Sequence, residues 1–322
     1  MTVFSGEEAI KTFLAEFDEW ISESVDVYLL GGSAMTVRGL KDQTEDIDLA
    51  LGVPTEFEHV YHALREQGFQ VTGEPTASFD GVGKTVELYH PGRGFRVDLF
   101  EQQVVGKVWI TESMHDRADE FWTGEYATAY VLADEDLFLL KAVSGGDLGA
   151  GRRRDIEDMR TYAQRGLAYE VILNEIEEQR PFNTGSIEAT HIRNQSHPLF
   201  TIEVAVQSLS GLPSSFTDRV SEFATEFEVE YGILEAVDEG LRSPRAISER
   251  VLSNVRELSV GDEEAVSAGI DRLVEKQILD RNGDGSPLVQ LARRVRIVSM
   301  AAQGGDGKRL AVRLWVRTRV HP

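Results

Sequence analysis

Two aspartates at i and i+2, Asp46 and Asp48 in the run Asp46-Ile47-Asp48-Leu49, follow closely on the segment Leu29-Leu30-Gly31-Gly32-Ser33-Ala34. No other stretch limits the fold as strongly. Residues 25–30 read as a strand, Gly31-Gly32 as a tight turn, 33–38 as a short helix with Ser33 as its N-cap, and 46–51 as a second strand. Side chains alternate along a strand, so Asp46 and Asp48 share one face while Ile47 and Leu49 point into a core. Two carboxylates held side by side repel unless a cation stands between them. Mg2+, a hard ion that takes oxygen ligands and travels with phosphates, suits that place. Phosphoryl or nucleotidyl transfer is the first expectation.

The periodicity supplies a frame around this core. Ile10, Phe13, Leu14, Phe17 and Ile21 recur at helical spacing over 7–22. A helix is expected at 54–67, with Pro54 in its first turn and Gly68 just beyond its end. The stretches 86–90 and 95–100 flank Pro91-Gly92-Arg93-Gly94, a hairpin signature. Helices are expected at about 134–144 and 152–165. Residues 180–200 are polar and aperiodic and read as loop or linker. A helix near 214–225 precedes 226–292, which reads as helix (227–240), helix (243–255), helix (262–277) and a small hairpin turning on Asn282-Gly283-Asp284-Gly285. That is the order of a winged helix-turn-helix. The expected class is α+β: a small mixed sheet flanked by helices over 1–165, a helical segment and linker over 166–225, a winged-helix-like domain over 226–292, and a basic tail over 293–322.

Gly31-Gly32-Ser33, the Asp46/Asp48 pair and Asp98 in Phe95-Arg96-Val97-Asp98-Leu99-Phe100 resemble the signature of the DNA polymerase β nucleotidyltransferase superfamily. Within it, the chain looks most like minimal nucleotidyltransferase-like proteins, including the AbiEii-type toxins of toxin–antitoxin systems. The resemblance covers roughly residues 1–165. It implies an NTP donor, an NMP transferred to a hydroxyl of RNA (tRNA among the candidates), protein or a small molecule, and an antitoxin partner. Asp98 would share its strand face with Arg96 and Phe100. If that strand lies beside 46–51, three carboxylates can hold two Mg2+ ions about 3.5–4 Å apart. One ion would bind the nucleotide phosphates and the other would activate the attacking hydroxyl, for which Asp98 could also serve as base. The Gly31-Gly32 turn would let backbone N–H groups approach phosphate, with the Ser33 hydroxyl adding a donor.

Lys141 and the run Arg152-Arg153-Arg154-Asp155-Ile156-Glu157-Asp158 resemble later motifs of the AbiEii-like proteins, where a lysine on one helix precedes a basic–acidic pair on the next. They imply triphosphate contacts from Lys141, Arg152 and Arg154, with Asp155 beside them. In a helix over 152–165, Arg154 and Asp158 stand at i, i+4, and Ile156 and Met159 face the core. The glycine-rich 145–151 could close over a nucleotide, but it lacks the Gly-Lys-Ser/Thr of a P-loop ATPase.

Composition narrows the alternatives. The chain has no cysteine, and its seven histidines show no metal-ligand spacing; His59 and His62 read as surface residues of the 54–67 helix. Thiolate and zinc chemistry are therefore not expected. No apolar run long enough to cross a membrane occurs, and the N-terminus carries no secretory pattern, so a cytoplasmic protein is expected. Asp and Glu number 55 against 33 Lys and Arg, for a net charge of −22. Only seven of the bases are lysine. Such a surface suits a high-salt, halophilic cytoplasm, where screening acts within about 3 Å at 1 M.

Residues 226–292 carry fifteen acids and seven bases, the reverse of a DNA reader's basic stripe. DNA binding and a protein-contact or dimerisation role both stay open there. The terminal 293–322 segment holds eight bases and one acid, Asp306; it reads either as a strand with one basic face or as a shifted reading frame. Two rivals to the enzyme remain: a catalytically silent regulator acting through the winged-helix-like domain, and an antibiotic-type small-molecule nucleotidyltransferase.

Overall fold

The computed structural model describes residues 3–72, 85–101, 103–104, 108–146, 153–183, 198–255, 262–275, 279–281, 289–291, 295–300 and 311–316. They fall into two compact units, one of residues 1–175 with 208–210, the other of 176–207 and the residues from 211 onward.

In the first unit the elements run β1 (Phe4–Ser5), α1 (Gly6–Trp20), β2 (Val25–Leu29), α2 (Gly31–Val37), β3 (Gln43–Thr44), β4 (Asp46–Leu51), α3 (Pro54–Glu66), β5 (Gln70–Val71) and β6 (Thr85–His90). Then come β7 (Phe95–Glu101), β8 (Gln103–Val104), β9 (Val108–Trp109), α4 (Glu112–Arg117), β10 (Asp119–Thr123), β11 (Ala127–Val131), α5 (Asp134–Gly145), α6 (Arg153–Ala163) and the start of α7 (Tyr169–Asn183). Seven strands form one mixed sheet in the order β10-β11-β2-β4-β7-β6-β5. β4 is antiparallel to β2 and parallel to β7, and β7 is antiparallel to β6. The chain is thus α+β, with a mixed sheet flanked by helices.

Alternation decides which face of the sheet is apolar. Ile47, Leu49, Val97, Leu99, Leu29 and Leu88 are fully buried, and Phe13 of α1 and Phe69 beyond α3 both meet the Phe95 ring edge-on. α1 contributes the expected stripe of Ile10, Phe13, Leu14 and Phe17, but it ends at Trp20. Pro54 opens α3 as expected, and Gly68 follows it in the left-handed region at φ +94°, a conformation that favours glycine. The opposite face carries Asp46 and Asp48 on β4, and Arg96 and Asp98 on β7. Arg38, at the end of α2, fastens that helix to the sheet. It pairs with Asp119 at 2.6 Å and donates to the Leu132 carbonyl at 2.7 Å.

A buried ionic junction joins α4, α5 and α7. Arg117 bridges Asp136 at 2.6 Å and Glu175 at 2.5 Å, and Thr111 donates to Glu175 at 3.0 Å. Asp136 and Glu175 are almost wholly buried. Burial pushes the Asp136 carboxyl up to about 6 despite the opposing pull of Arg117.

In the second unit, after the end of α7, come α8 (Pro198–Gln207), α9 (Ser214–Asp238), α10 (Pro244–Leu252) and α11 (Glu263–Glu275), followed by β12 (Leu279–Arg281), β13 (Val289–Leu291), β14 (Val295–Met300) and β15 (Ala311–Val316). The two helices expected at 214–225 and 227–240 are one, α9, of 25 residues. Neither glycine nor proline interrupts 214–231, and the Arg219–Glu226 ion pair at 3.3 Å crosses the expected junction. Val229, Ile233 and Val237 of α9 pack with Ile247 and Val251 of α10 and with Val266, Ile270 and Leu273 of α11. Gly269 permits this: a Cβ there would come 2.8 Å from Ile233 Cδ1. The expected loop at 180–200 is narrower at both ends, since α7 runs to Asn183 and α8 starts at Pro198; 184–197 lie outside the described residues. β12 and β13 pair antiparallel, and the Asn282–Gly285 turn likewise falls outside. In the basic terminal segment, 311–316 form a strand, paired antiparallel with β14. Among the described residues, no helix is long and apolar enough to cross a membrane.

Replacing Arg117 by Leu removes the cation that faces two buried carboxylates. The expected cost is about 3–5 kcal/mol, read as a lower denaturant midpoint; a loss below about 1 kcal/mol would mean that the junction contributes little.

Candidate active site

The site follows from one register. β4 and β7 run parallel with Asp46 opposite Arg96 and Asp48 opposite Asp98, on strands about 4.8 Å apart. Glu87 of β6 stands opposite Asp98 on its other side. The carboxylates expected at 46, 48 and 98 therefore lie on one face.

The Gly31–Gly32 turn sits directly on this pair. The Leu30 N–H donates to the Asp48 carbonyl at 3.0 Å, holding the start of α2 against β4. Gly31 has φ +50°, and a side chain there would overlap the Asp48 carboxylate. A side chain at Gly32 would overlap the Thr44 hydroxyl. The Gly32 N–H donates to Asp48 Oδ2 at 3.3 Å. Both glycines are thus required by what the next strand pushes against them. Ser33 departs from expectation: α2 already begins at Gly31, with Leu30 as the capping residue. Ser33 is wholly buried and its hydroxyl donates back to the Leu30 carbonyl at 2.7 Å. It is neither the N-cap nor turned toward an incoming phosphate.

Cations answer the crowded charge. Arg96 donates to Asp46 Oδ2 at 2.6 Å, and its Nε lies 3.2 Å from Asp98 Oδ1. That second contact is not aligned as a hydrogen bond, and Asp98 Oδ1 is buried with no hydrogen-bond partner. Thr44 donates to Asp46 Oδ1 at 3.0 Å. Burial, and then the Asp46 charge, push the Asp48 carboxyl up to about 6, with Lys141, the Gly32 N–H and Arg96 pulling the other way. Burial, and then the Asp48 charge, push Asp98 up to about 8 against the pull of Arg96. Carboxylates this close titrate as a unit.

Lys141 reaches the site from α5. With Gly31, Asp48, Phe100, Leu137 and Tyr162 it lines a cleft of about 100 Å³. Its ammonium bridges Asp155 at 2.8 Å and Asp158 at 3.0 Å. Burial alone would lower its pKa, but these two acids outweigh burial and raise it. Asp155 is thus gathered near the site through Lys141. Arg154 is exposed on α6 and does not line the cleft; Asp158, its i+4 neighbour, turns instead to Lys141 and to Lys41, 2.8 Å away. On the same helix Met159 is buried and Ile156 partly so. Arg152 and residues 147–151 lie outside the described residues.

Three participants were not singled out from sequence. Arg96, two residues before Asp98 on the same strand face, and Thr44, two before Asp46, carried a spacing signal. Lys41 carried none, because it meets Asp158 across 117 positions. His59 and His62 lie on α3, where His59 accepts from the Ser22 N–H and His62 is exposed beside Glu58. Among the described residues, no group of three or more acidic or histidine side chains is arranged to hold a metal ion.

No family model matches the sequence, and no curated protein matches it. Among solved structures, a nucleotidyltransferase candidate from Thermotoga maritima, TM1012, is similar at 14% identity and a TM-score of 0.30, over 50% of this chain and 96% of that one. JHP933 from Helicobacter pylori is similar at 13% identity and a TM-score of 0.30, over 73% of this chain and 95% of that one. Likenesses this remote do not assign an activity.

Raised carboxyls fix a pH dependence. The folded chain keeps protons that the unfolded chain has released, so this contribution to stability is complete below about pH 4, the ordinary carboxylate value. It is lost as pH rises through about 6 and about 8. In metal-free buffer the denaturant midpoint should fall from about pH 4 to about pH 8, with the Asp98 share alone left above about 6. Asp98→Asn should flatten the upper part of that fall, where Asp136, raised only to about 6, has already titrated; an unchanged slope in the variant would rule out crowding at Asp98 as the cause.

Proposed function

We propose that the chain is a Mg2+-dependent nucleotidyltransferase that moves an NMP group from an NTP to a hydroxyl on an RNA, protein or small-molecule acceptor. One observation carries this reading: the half-buried carboxylates Asp48 and Asp98 stand in register on neighbouring strands, and Asp48 lies against Gly31 in a cleft that also holds Lys141. The residues fit a hard cation, because Asp98 Oδ1 is buried without a partner and burial with mutual repulsion raises both carboxyls. Asp48 and Asp98 would hold the ion, with Asp46 on the same face. When bound, Mg2+ supplies charge neutralisation for the triphosphate and acidifies a hydroxyl.

The chain's own groups do the rest by position and charge. The bare backbone at Gly31 and Gly32 leaves room for the Asp48 carboxylate and the Thr44 hydroxyl, which keeps Asp48 placed for an ion that travels with phosphate. Lys141 presents a positive charge to the same cleft, from which it can turn between Asp155, Asp158 and a phosphate oxygen. The acceptor hydroxyl oxygen attacks the α-phosphorus, the bond to the β-phosphate oxygen breaks, and pyrophosphate leaves. The hydroxyl proton passes to the Asp98 carboxylate oxygen that the ion leaves free.

The AbiEii-like resemblance of the motifs extends this reading to a toxin–antitoxin component with a small protein partner. The acidic, lysine-poor composition supports work in a salty cytoplasm. A second reading, a catalytically silent binder acting through a winged-helix-like second unit, draws on the fact that Arg96 and Lys141 are already ion-paired within the chain.

Incubation with each α-labelled NTP, Mg2+, total RNA and lysate in molar KCl should label one acceptor class. Asp48→Asn should lower that labelling at least about a hundredfold while the circular dichroism spectrum stays that of the parent. Equal labelling by the variant refutes the assignment, and nucleotide left intact by the parent chain favours the silent binder.

A further inference from the structure

Asp46 differs from its two companions in having both carboxylate oxygens engaged within the chain. Oδ1 accepts from the Thr44 hydroxyl at 3.0 Å and Oδ2 from Arg96 at 2.6 Å. Arg96 is its register neighbour on β7, and the same guanidinium stands 3.2 Å from Asp98 Oδ1. A positive charge therefore already lies between the first and third carboxylates, on the face where a second ion would sit. Asp48 and Asp98 are less occupied: Asp48 Oδ2 accepts one long hydrogen bond, from Gly32, and Asp98 Oδ1 accepts none.

We propose that Arg96 takes the place of a second metal ion, so that the site binds a single divalent cation on Asp48 and Asp98. This rests on the nucleotidyltransferase reading and deepens it. Arg96 already pairs with Asp46 at 2.6 Å and lies beside Asp98, so the positive charge on this side of the cluster is built into the chain. Arg96 cannot step aside by losing its proton, because a guanidinium stays charged at any working pH. Its fork reaches two carboxylates at once, which a lysine ammonium on a single stem does less well. Arg96 acts through Asp46 and Asp98 and is a positioning residue.

The test uses Mn2+ in place of Mg2+, together with an α,β-methylene nucleoside triphosphate, in molar KCl to suppress loose binding to the acidic surface. Unbound ion is removed, and the full-length protein is examined by electron paramagnetic resonance and metal analysis. The parent chain should hold one Mn2+ with an uncoupled, mononuclear signal. Arg96→Met should admit a second ion and show an exchange-coupled pair, and Arg96→Lys should stay mononuclear. A coupled pair in the parent chain overturns the proposal and leaves the nucleotidyltransferase reading standing. An uncoupled single ion in Arg96→Met also overturns it. No bound Mn2+ in the parent chain removes the nucleotidyltransferase reading itself. Should Arg96→Met fail to fold, the ion count of the parent chain and the Arg96→Lys spectrum still decide.

Discussion

Crowded negative charge, held in place by apolar packing, is the constraint on which the first unit is organised. Asp48 and Asp98 cannot drift apart, because Ile47, Leu49, Val97 and Leu99 between and beside them are wholly buried on the opposite face. A slip of one residue in β4 would turn both of its aspartates into that core. Hydrophobic burial therefore sustains an electrostatic conflict, and the surroundings answer it. Arg96 lies along the pair, Lys141 stands across the cleft, and the Gly32 N–H touches Asp48. The two glycines are needed because the carboxylate and the Thr44 hydroxyl press into space that a Cβ would fill.

What could be read from sequence was local, and what could not was long-range. The alternation of β4 and β7, the apolar stripe of α1, the Pro54 start and Gly68 stop of α3, and the Pro91–Gly94 turn each have a short period or a residue-specific conformation. So do the three aspartates. The parallel register that sets Asp48 beside Asp98 leaves no local trace. The same holds for the Lys41–Asp158 contact and for the junction of Arg117 with Asp136 and Glu175. Ser33 misled because serine before a helical run is a common cap, whereas the turn had already become helical at Gly31. The junction expected inside α9 misled for the opposite reason: a weakly periodic, charged stretch resembles a linker until ion pairs such as Arg219–Glu226 bind its turns together.

The cation usage has its own logic. In a chain with far more arginine than lysine, the arginines make the forked contacts: Arg38 to Asp119 and Leu132, Arg96 to Asp46 and Asp98, and Arg117 to Asp136 and Glu175. A planar fork joins two acceptors with little added ordering. Two lysines add a different geometry, with Lys41 and Lys141 converging on the one acid Asp158. That shared acid ties the segment before β3 to α5 and α6, so the strand bearing the carboxylates and the helix bearing the cleft lysine are held by one anchor.

The parallel β4–β7 pairing also bears on how the chain folds. Asp46 and Arg96 are fifty positions apart, with α3 and two further strands between them. Closing so long a loop is entropically slow, and contacts of this span form late relative to helices and hairpins. A chain that has made only its local structure has the Asp46/Asp48 strand and the Asp98 strand apart, and the three carboxylates do not share a face. The three-carboxylate face is therefore a report on completed topology: a partly folded copy, however helical, lacks it, and any ligand that bound the finished face would draw the folding equilibrium toward the one state that contains it.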